Sequence, residues 1–337
     1  MEGDELEFAA FEGSILLEHV NRQRMFQHFA IARFLAMLGL DDPGLSRDDM
    51  LHALADAGLI VEDGQGGHHV KAIMALTCAT RLNRYPALRD RGIGLVFHRE
   101  VGASAIRWED HWTPHGYAIW FGTTLRAIME YMPVLRDYVD DDSEGGPLWH
   151  IDVPEAAIRA FLLNAVVHQD FALSGPRPLV TIFRDRIEIS NAGLPLIPAD
   201  RFIDGQREDR NPAFARLMFN ACKPAGEPQG MKLAMQAIED AGLPPPLFAA
   251  ADGVTIVTLY LPRAFAGWTP EERVRACFQH AQFRNRRSEA ITAASLGARL
   301  GLADDAAETV AAVIRETLAA GLIKPREDGA GYAPAYA

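Results

Sequence analysis

Asn164 and His168 are the polar residues whose types and spacing most suggest chemistry in this sequence. Because they lie four residues apart, they share one face of a helix, and Asp170 follows closely. The apolar residues of the same segment have the spacing of a buried helix face: Ile158, Phe161, Leu162 and Ala165. We expect a ligand at the polar end of this helix. The alternative is that the polar residues cap the helix and tie it to the next element, with His168 as a core histidine.

A β-hairpin is expected to follow the helix and position its polar end. Residues 179–183 and 186–190 alternate like paired strands around a tight turn at Arg184 and Asp185. The next turn, residues 191–195, contains Gly193, which lets the backbone approach a bound group closely.

The segment Arg210-Asn211-Pro212 has two interpretations, a phosphate contact or a helix start with proline in the first turn. The elements predicted around it are a helix over 213–222, a Pro/Gly-rich loop over 223–230, a helix over 231–242 and a β-branched strand over 254–261.

Two boundaries divide the rest of the chain, the acidic loop 140–146 and the segment 268–270. We expect four regions: a helical N-terminal connector (1–62), an α/β segment packing on the central domain (63–145), the central domain (146–263) and a C-terminal winged helix-turn-helix (268–337). The first two regions contain predicted helices over 22–39, 46–58, 70–80 and 123–137 and a strand over 93–98. The last contains predicted helices over 270–282, 291–300 and 304–320 and a short hairpin, the order typical of a winged helix.

Two other groups of residues receive a structural interpretation. His68 and His69 follow a glycine-rich loop, and no third ligand lies at a familiar spacing, so we favour a loop over a metal site. An aromatic-rich stretch is expected to pack in a core or between domains: Trp108, Trp112, His115, Tyr117 and Trp120.

The composition is that of a globular protein, with 49% hydrophobic and 23% charged residues. The net charge of −12 argues against nucleic-acid binding by overall charge, although a local basic patch is compatible with it. Three cysteines without a CxxC pattern indicate a reducing compartment and no metal signature. The acidic N-terminus lacks the features of a signal peptide, and no apolar run is long enough to span a membrane. We therefore expect a cytoplasmic protein.

Four sequence blocks then follow in a fixed order: 164–171 (NAVVHQDF), 186–195 (RIEISNAGLP), 210–219 (RNPAFARLMF) and 242–246 (GLPPP). Through these blocks the chain resembles a bacterial family of ATP-binding transcriptional regulators with RecG-like C-terminal domains. The resemblance extends from about residue 20 to the end. It implies an α+β fold with a divergent GHKL-type (Bergerat-like) ATPase domain, related to gyrase, histidine-kinase and MutL ATPases, and a C-terminal winged helix-turn-helix. Members often carry a Schlafen-type AlbA domain in front, for which the first twenty or so residues are too few.

The resemblance implies ATP and Mg²⁺ as ligands. Asn164 takes the place of the asparagine that coordinates Mg²⁺ between the phosphates, and an amide oxygen is a hard ligand that suits this ion. Asn191 and Gly193 would lie at the adenine and ribose end, and Gly230 at the loop-to-helix junction that meets phosphate. The remaining candidates for nucleotide contact are His168, Asp170, Arg210 and Asn211.

Two departures from the family pattern argue against efficient hydrolysis. Family members usually carry a glutamate one turn before the asparagine as general base, and here that position is Ala160, whose methyl group cannot accept a proton. Glu155 lies about 140° around the helix from it and is a poor substitute. The loop 227–230 keeps one glycine, and its proline and glutamate both weaken phosphate binding.

The expected winged helix raises the question of DNA. Its presumed recognition helix over 304–320 carries four acidic residues against Arg315 alone, which is a poor surface for phosphates. The candidate DNA contacts are the basic run Arg284, Arg286 and Arg287, for which the alternative is a solvated loop, and Arg315 of the recognition helix. Winged helices also mediate protein contacts and dimerisation, and we expect a homodimer.

Three functional hypotheses follow. The first is a transcriptional regulator that binds ATP or a related nucleotide, with little or no hydrolysis, and binds DNA or a partner through the winged helix. The second is an active Mg²⁺-dependent ATPase, which Ala160 disfavours. The third is a scaffold that binds no nucleotide and works through protein contacts.

Overall fold

The computed structural model describes residues 16–40, 42–101, 105–140, 153–173, 177–222 and 230–337. The boundary expected at 140–146 lies almost wholly outside these ranges, as do residues 227–229 of the eroded glycine loop. In the described ranges, no helix is both long enough and apolar enough to cross a bilayer.

The N-terminal part builds a small sheet with helices around it. Its elements are β1 (Leu16–Asn21), α1 (Arg22–His28), α2 (Ile31–Met37), α3 (Arg47–Asp56), β2 (Ile60–Glu62), β3 (Gly67–Lys71) and α4 (Ala72–Cys78). The three strands are antiparallel, in the order β1-β3-β2.

Two predictions for this part were wrong. The single helix expected over 22–39 is two helices, because Phe29 adopts an extended conformation and pairs with Ala79, while the Ala30 N–H donates to the Cys78 carbonyl at 2.9 Å. His68 and His69 lie in strand β3 rather than in a loop, and the predicted helix begins only at Ala72. Within the described ranges, no group of three or more potential ligands could hold a metal ion.

A mixed six-stranded sheet dominates the middle of the chain. Its elements are β4 (Gly94–Val101), β5 (Ala105–Trp112), α5 (Tyr117–Asp140), α6 (Glu155–Val167), β6 (Leu179–Ile182), β7 (Arg186–Ala192), α7 (Pro212–Cys222), α8 (Gly230–Asp240), β8 (Leu247–Ala251) and β9 (Val254–Tyr260). The strand order is β5-β4-β6-β7-β9-β8, and only the β4–β6 pair is parallel. The α+β class expected from the sequence is confirmed.

Helix α6 is the central element of this layer. Its nine buried residues are all apolar, and it contacts β7, α5, α7 and α8. The predicted i, i+3, i+4 stripe therefore lies in the core, as the periodicity indicated. Tyr117 and Trp120 belong to α5, where Tyr117 is fully buried, as expected for a packing residue.

The C-terminal unit, residues 268–337, has its own cluster of buried apolar residues around Trp268, Phe278 and Ile314. It contains α9 (Pro270–Asn285), α10 (Ala293–Arg299), α11 (Ala307–Ala319), β10 (Ile323–Pro325) and β11 (Tyr332–Pro334). A capping box formed by Thr269 and Glu272 starts α9. The third helix is shorter than predicted, because residues 304–306 form a separate 3₁₀ turn before α11.

Candidate functional site

A cavity of about 750 Å³ lies beside Asn164. Helix α6, the first turn of α8, strand β9 and the loop between β7 and α7 contribute its walls. The sequence-predicted residues that line it are Asn164, His168, Asn191, Arg210 and Gly230. Volumes of about 300–1,000 Å³ are typical of sites for small molecules and cofactors. Neither Phe161 nor Met231, both in its wall, fills the space.

Asn164 presents its amide to this cavity from the last turns of α6. Its backbone carbonyl accepts the His168 N–H at 2.9 Å, while its side chain has no hydrogen-bond partner among the described residues. Ala160 lies one turn earlier and also lines the cavity. A Cβ added at Gly230 would lie 3.6 Å from the Ala160 Cβ, so the start of α8 and this position are close neighbours.

Asp170 and Gly193 tie the end of α6 to the hairpin rather than lining the cavity. The Asp170 N–H donates to the Ala192 carbonyl at 2.8 Å. Gly193 has a φ of +104°, and a Cβ there would lie 2.8 Å from the Asp170 Cβ. The position therefore requires glycine for both conformation and space.

The two residues predicted at the start of α7 have different surroundings. Arg210 lines the cavity, bridges to Asp170 at 3.1 Å and donates to the Leu194 carbonyl at 2.7 Å. Asn211 is only 6% exposed, does not line the cavity, and donates to the backbone carbonyls of Val167 and Gln169. Asn211 thus holds the end of α6. Helix α7 begins at Pro212, so the structure has the helix start with proline in its first turn that the sequence left open as the alternative.

His168 is a neutral base in the cavity wall at pH 7. Burial is the main cause that lowers its pKa below the usual 6.5, and the nearby cations Arg207 and Arg210 act in the same direction. Asp209, whose carboxylate is 3.9 Å from the imidazole, opposes the shift. The imidazole can therefore accept a proton at neutral pH.

Cations from several elements face the cavity, and most of them are paired. Arg159 pairs with Glu155 at 2.5 Å, and Arg207 pairs with Asp209 at 2.8 Å. Lys232 and Arg286 also line the cavity, and neither has a carboxylate within ion-pair distance among the described residues. Lys232 belongs to the first turn of α8, whereas Arg286 caps the C-terminal end of α9. Within the described part of the chain, these two cations are therefore available to an anion.

Arg286 reaches the cavity from the C-terminal unit. Its Nη1 donates to the Ile203 carbonyl at 3.1 Å, and a Cβ added at Gly205 would lie 3.1 Å from its Nε. The sequence assigned this residue to DNA. Its position depends on the packing of α9 against the β7–α7 loop, which no local pattern reveals. Lys232 was also missed, although a lysine just after a glycine at a helix start is a recognisable signal for phosphate.

The other arginines assigned to DNA make contacts within the protein. Arg284 donates to the Ala290 carbonyl at 3.0 Å and pairs with Glu289 at 2.8 Å. Arg287 donates to the Gln236 amide oxygen at 2.7 Å. Arg315 pairs with Glu308 at 2.8 Å on the surface of α11.

The comparisons with known proteins address the middle of the chain. Residues 175–259 match the family model described as "Putative ATP-dependent DNA helicase recG C-terminal". This range contains the hairpin, the β7–α7 loop and the start of α8, whereas Asn164 precedes it. No curated protein matches the chain.

A solved structure similar to this chain is that of the DIP2311 protein from Corynebacterium diphtheriae, with 20% sequence identity and a TM-score of 0.47. The match covers 89% of this chain and 52% of that one, so the chain spans about half the length of that protein. The family match supports a divergent ATPase-like, nucleotide-binding domain in the middle of this chain.

Proposed function

We propose that the ATPase-like domain binds ATP or a related nucleotide with Mg²⁺ in the cavity beside Asn164 and hydrolyses it slowly or not at all. One observation carries the proposal: a cavity of about 750 Å³ contains, within its described wall, two cations without a carboxylate partner. A nucleoside triphosphate supplies the anionic groups that such cations bind.

The phosphates are assigned to the side of the cavity between α6 and α8. The Asn164 amide oxygen is the proposed Mg²⁺ ligand, because Mg²⁺ prefers oxygen ligands and keeps phosphate oxygens and water around it. Helix α8 begins at Gly230, and the free N–H groups of a first helical turn favour negative charge. Lys232 in the same turn adds a full positive charge.

The adenine and ribose are assigned to the opposite end, next to β7 and β9. Asn191 and Thr255 face each other across these strands, and both line the cavity. The Thr255 hydroxyl donates to the Gly193 carbonyl at 2.7 Å, and the Gly193 N–H donates to the Gly253 carbonyl at 2.7 Å. These bonds hold the glycine turn rigidly and so support a preformed site.

Slow hydrolysis is proposed because the general-base position is Ala160. Of the carboxylates in the cavity wall, Glu155 is paired with Arg159 and Asp209 is paired with Arg207, while Glu208 belongs to the β7–α7 loop and not to the α6 position of the family's general base. A single general base contributes about 10²–10⁴-fold to a rate. The competing proposal, an active ATPase, is favoured by one observation, the neutral His168 imidazole in the same wall. If this imidazole is the base, His168→Ala should lower turnover about 10²–10⁴-fold.

We propose that the C-terminal unit responds to the occupant of the cavity. Helix α8 begins at the cavity and ends at a cluster shared with this unit. There the Glu239 carboxylate lies 3.0 Å from the His280 imidazole and 3.6 Å from the Arg299 guanidinium. This cluster connects the C-terminal end of α8 to α9 and α10, and Arg286 separately connects the end of α9 to the β7–α7 loop in the cavity wall. A regulator that reads nucleotide occupancy needs such a rigid connection.

DNA and a protein remain the two proposed partners of the C-terminal unit, whose helix-helix-helix-hairpin order is that of a winged helix. Because Arg284, Arg287 and Arg315 make contacts within the protein, a protein partner is favoured. Titration of the full chain with duplex DNA at several salt concentrations tests this choice. A steep fall in affinity with salt would favour DNA instead.

Thermal unfolding with and without ATP and Mg²⁺ tests the function itself. Ligand at about 100 times its Kd stabilises a protein by about 2.7 kcal/mol, so a clear rise in Tm is expected. Asn164→Ala should lose the Mg²⁺-dependent part of the rise, and the control Asn83→Ala, at an exposed position outside the cavity, should keep it. A Tm that stays constant at millimolar ATP would instead support the scaffold hypothesis.

A further inference from the structure

A second cleft, of about 590 Å³, lies between the ATPase-like domain and the C-terminal unit. Residues of the β7–α7 loop and of β8 form one side, and α9 with parts of α11 and Leu322 forms the other. It shares no lining residue with the cavity beside Asn164. It is therefore a separate site, and the argument for it does not depend on nucleotide binding.

One face of α9 lines the whole cleft. The residues are spaced at i, i+3, i+4, i+7, i+8 and i+11: Glu271, Val274, Arg275, Phe278, Gln279 and Gln282. Such spacing describes a single helix face. A face turned towards a neighbouring domain is usually apolar, yet this one carries two amides and a guanidinium. The apolar part of the cleft comes mainly from Val274, Phe278, Phe248 and Leu322.

The amide of Gln279 is fixed with its oxygen unused. Its Nε2 donates to the Pro246 carbonyl at 2.8 Å, and a carbonyl can only accept, so the nitrogen must face Pro246. The side chain is 5% exposed, and its Oε1 has no hydrogen-bond partner among the described residues. Gln282 is held in the same way, by a 2.6 Å bond to the Asp200 carbonyl.

Arg275 also lines the cleft. Its Nη2 donates to the Pro245 carbonyl at 3.4 Å, whereas its buried Nε has no partner within the described ranges. Leaving a buried donor and a buried acceptor unpaired is unfavourable, so both require water or a ligand. Because their orientations are already fixed by backbone carbonyls, a ligand would meet them without the cost of ordering these side chains.

The charges of the cleft limit the kind of ligand. Glu271, Glu316 and Asp200 are exposed residues of its wall, against the single cation Arg275. An anion is therefore disfavoured here, in contrast to the cavity with Lys232 and Arg286. We propose that the cleft binds a neutral or cationic amphipathic small molecule whose N–H or O–H group donates to the Gln279 Oε1 and whose apolar body packs on Phe248 and Phe278.

Three probes with one ring system test this proposal on the full chain by ligand-observed NMR titration. Tryptamine is cationic and has a ring N–H, 1-methyltryptamine lacks this N–H, and indole-3-acetate is anionic. Tryptamine is expected to bind saturably, with Kd at or below about 1 mM. Methylation of the ring nitrogen should weaken binding about 3- to 10-fold, as expected for the loss of one hydrogen bond. Indole-3-acetate should bind more weakly still.

Two matched variants locate the binding. Leu322→Trp puts a large side chain into the cleft and should abolish tryptamine binding. Leu302→Trp, a partly buried position that packs on the same C-terminal core but does not line the cleft, should leave binding unchanged. Thermal unfolding of both variants shows whether they fold.

Three outcomes would overturn the proposal. The first is that no probe binds saturably, which would mean that the cleft holds only water. The second is that indole-3-acetate binds as tightly as tryptamine, and the third is that tryptamine still binds to a folded Leu322→Trp protein. If Leu322→Trp fails to fold, Gln279→Leu decides instead. This variant has a similar size but no acceptor oxygen, so it should bind tryptamine and 1-methyltryptamine equally, and a preference for tryptamine that persists in the folded variant would contradict the proposal.

Discussion

The cavity beside Asn164 and the helices of the C-terminal unit use their cations differently. In the cavity, Lys232 and Arg286 have no carboxylate partner among the described residues. In the C-terminal unit, Arg284 and Arg315 are paired with glutamates, and Arg287 binds an amide. A cation without a partner stabilises a bound anion, whereas a cation that is already paired with a carboxylate interacts more weakly with a second anion. The comparison therefore favours the proposal that anions bind in the cavity rather than on the surface of the C-terminal unit.

The largest effect is expected from restoring a base to the cavity. Ala160→Glu should raise single-turnover hydrolysis of ATP about 10²–10⁴-fold, because it supplies the missing proton acceptor one turn before Asn164. The position lines the cavity, so a longer side chain has space to enter it. Ala160→Gln, of equal size but without a base, is the control. An equal gain in the glutamine variant, or no gain in a glutamate variant that still binds ATP, would show that the missing base is not what limits hydrolysis.

The next effect concerns Lys232 and Arg286, the cavity cations that have no carboxylate partner among the residues that the structure describes. Lys232→Ala and Arg286→Ala should each weaken ATP binding about 10-fold or more, since hydrogen bonds to charged groups contribute about 1.5–3 kcal/mol. Adenosine binding should change little, because it has no phosphate. Isothermal titration calorimetry measures both, and Arg216→Ala, an exposed arginine of α7 outside the cavity, is the control. If Arg216→Ala weakens ATP binding as much as Lys232→Ala or Arg286→Ala does, the effect does not come from the cavity cations in particular.

A smaller effect is expected from pH. Because burial lowers the pKa of His168 in the folded protein, the unfolded chain binds a proton at His168 more readily. The contribution of this residue to stability is therefore complete above the usual pKa of 6.5 and is lost as pH falls towards the folded value. Urea unfolding at pH values from about 7.5 to 5, a range that includes the usual histidine pKa, should show a free energy of unfolding that falls towards the acidic end. His168→Gln should remove this component of the slope, and an unchanged slope in that variant would mean that another group titrates.

The smallest effect is expected at the paired arginines. Arg284→Ala and Arg315→Ala should leave any affinity for duplex DNA within about twofold of the wild type, since exposed ion pairs contribute about 0–1 kcal/mol and are already formed inside the protein. Fluorescence anisotropy at several salt concentrations measures this affinity. A salt slope reduced by about one in either variant would identify a phosphate contact there and break the comparison.

Sequence patterns predicted the helices and strands whose position depends on burying one face of their own segment. The apolar stripe of α6 and the alternation of β6 and β7 were visible in sequence, because each buries one face against the core. The break at Phe29 was not, because it depends on pairing with the distant Ala79. Strand β8 was missed because its Ala-rich segment after three prolines shows no clear alternation.

The candidate site was predicted in the same uneven way. Asn164 and His168 share one helix, so their spacing was enough to bring them together. Asn211 as a nucleotide contact stays a prediction, although its amide already donates to the backbone carbonyls of Val167 and Gln169, and sequence cannot distinguish this use of a polar residue at a helix start from a phosphate contact. Arg286 could not be located from sequence, because its place in the cavity depends on how α9 packs on the β7–α7 loop.

Calorimetric titration of the full chain with ATP and with adenosine, each in the presence and absence of Mg²⁺, tests the central claim most directly. In the proposed function the cavity cations bind the phosphates and the Asn164 amide binds Mg²⁺, so ATP with Mg²⁺ should bind at least about 10-fold more tightly than adenosine. The Mg²⁺ dependence should disappear in Asn164→Ala. Equal affinity for ATP and adenosine, or no binding of either at millimolar concentration, would contradict the assignment of this cavity as a nucleotide site.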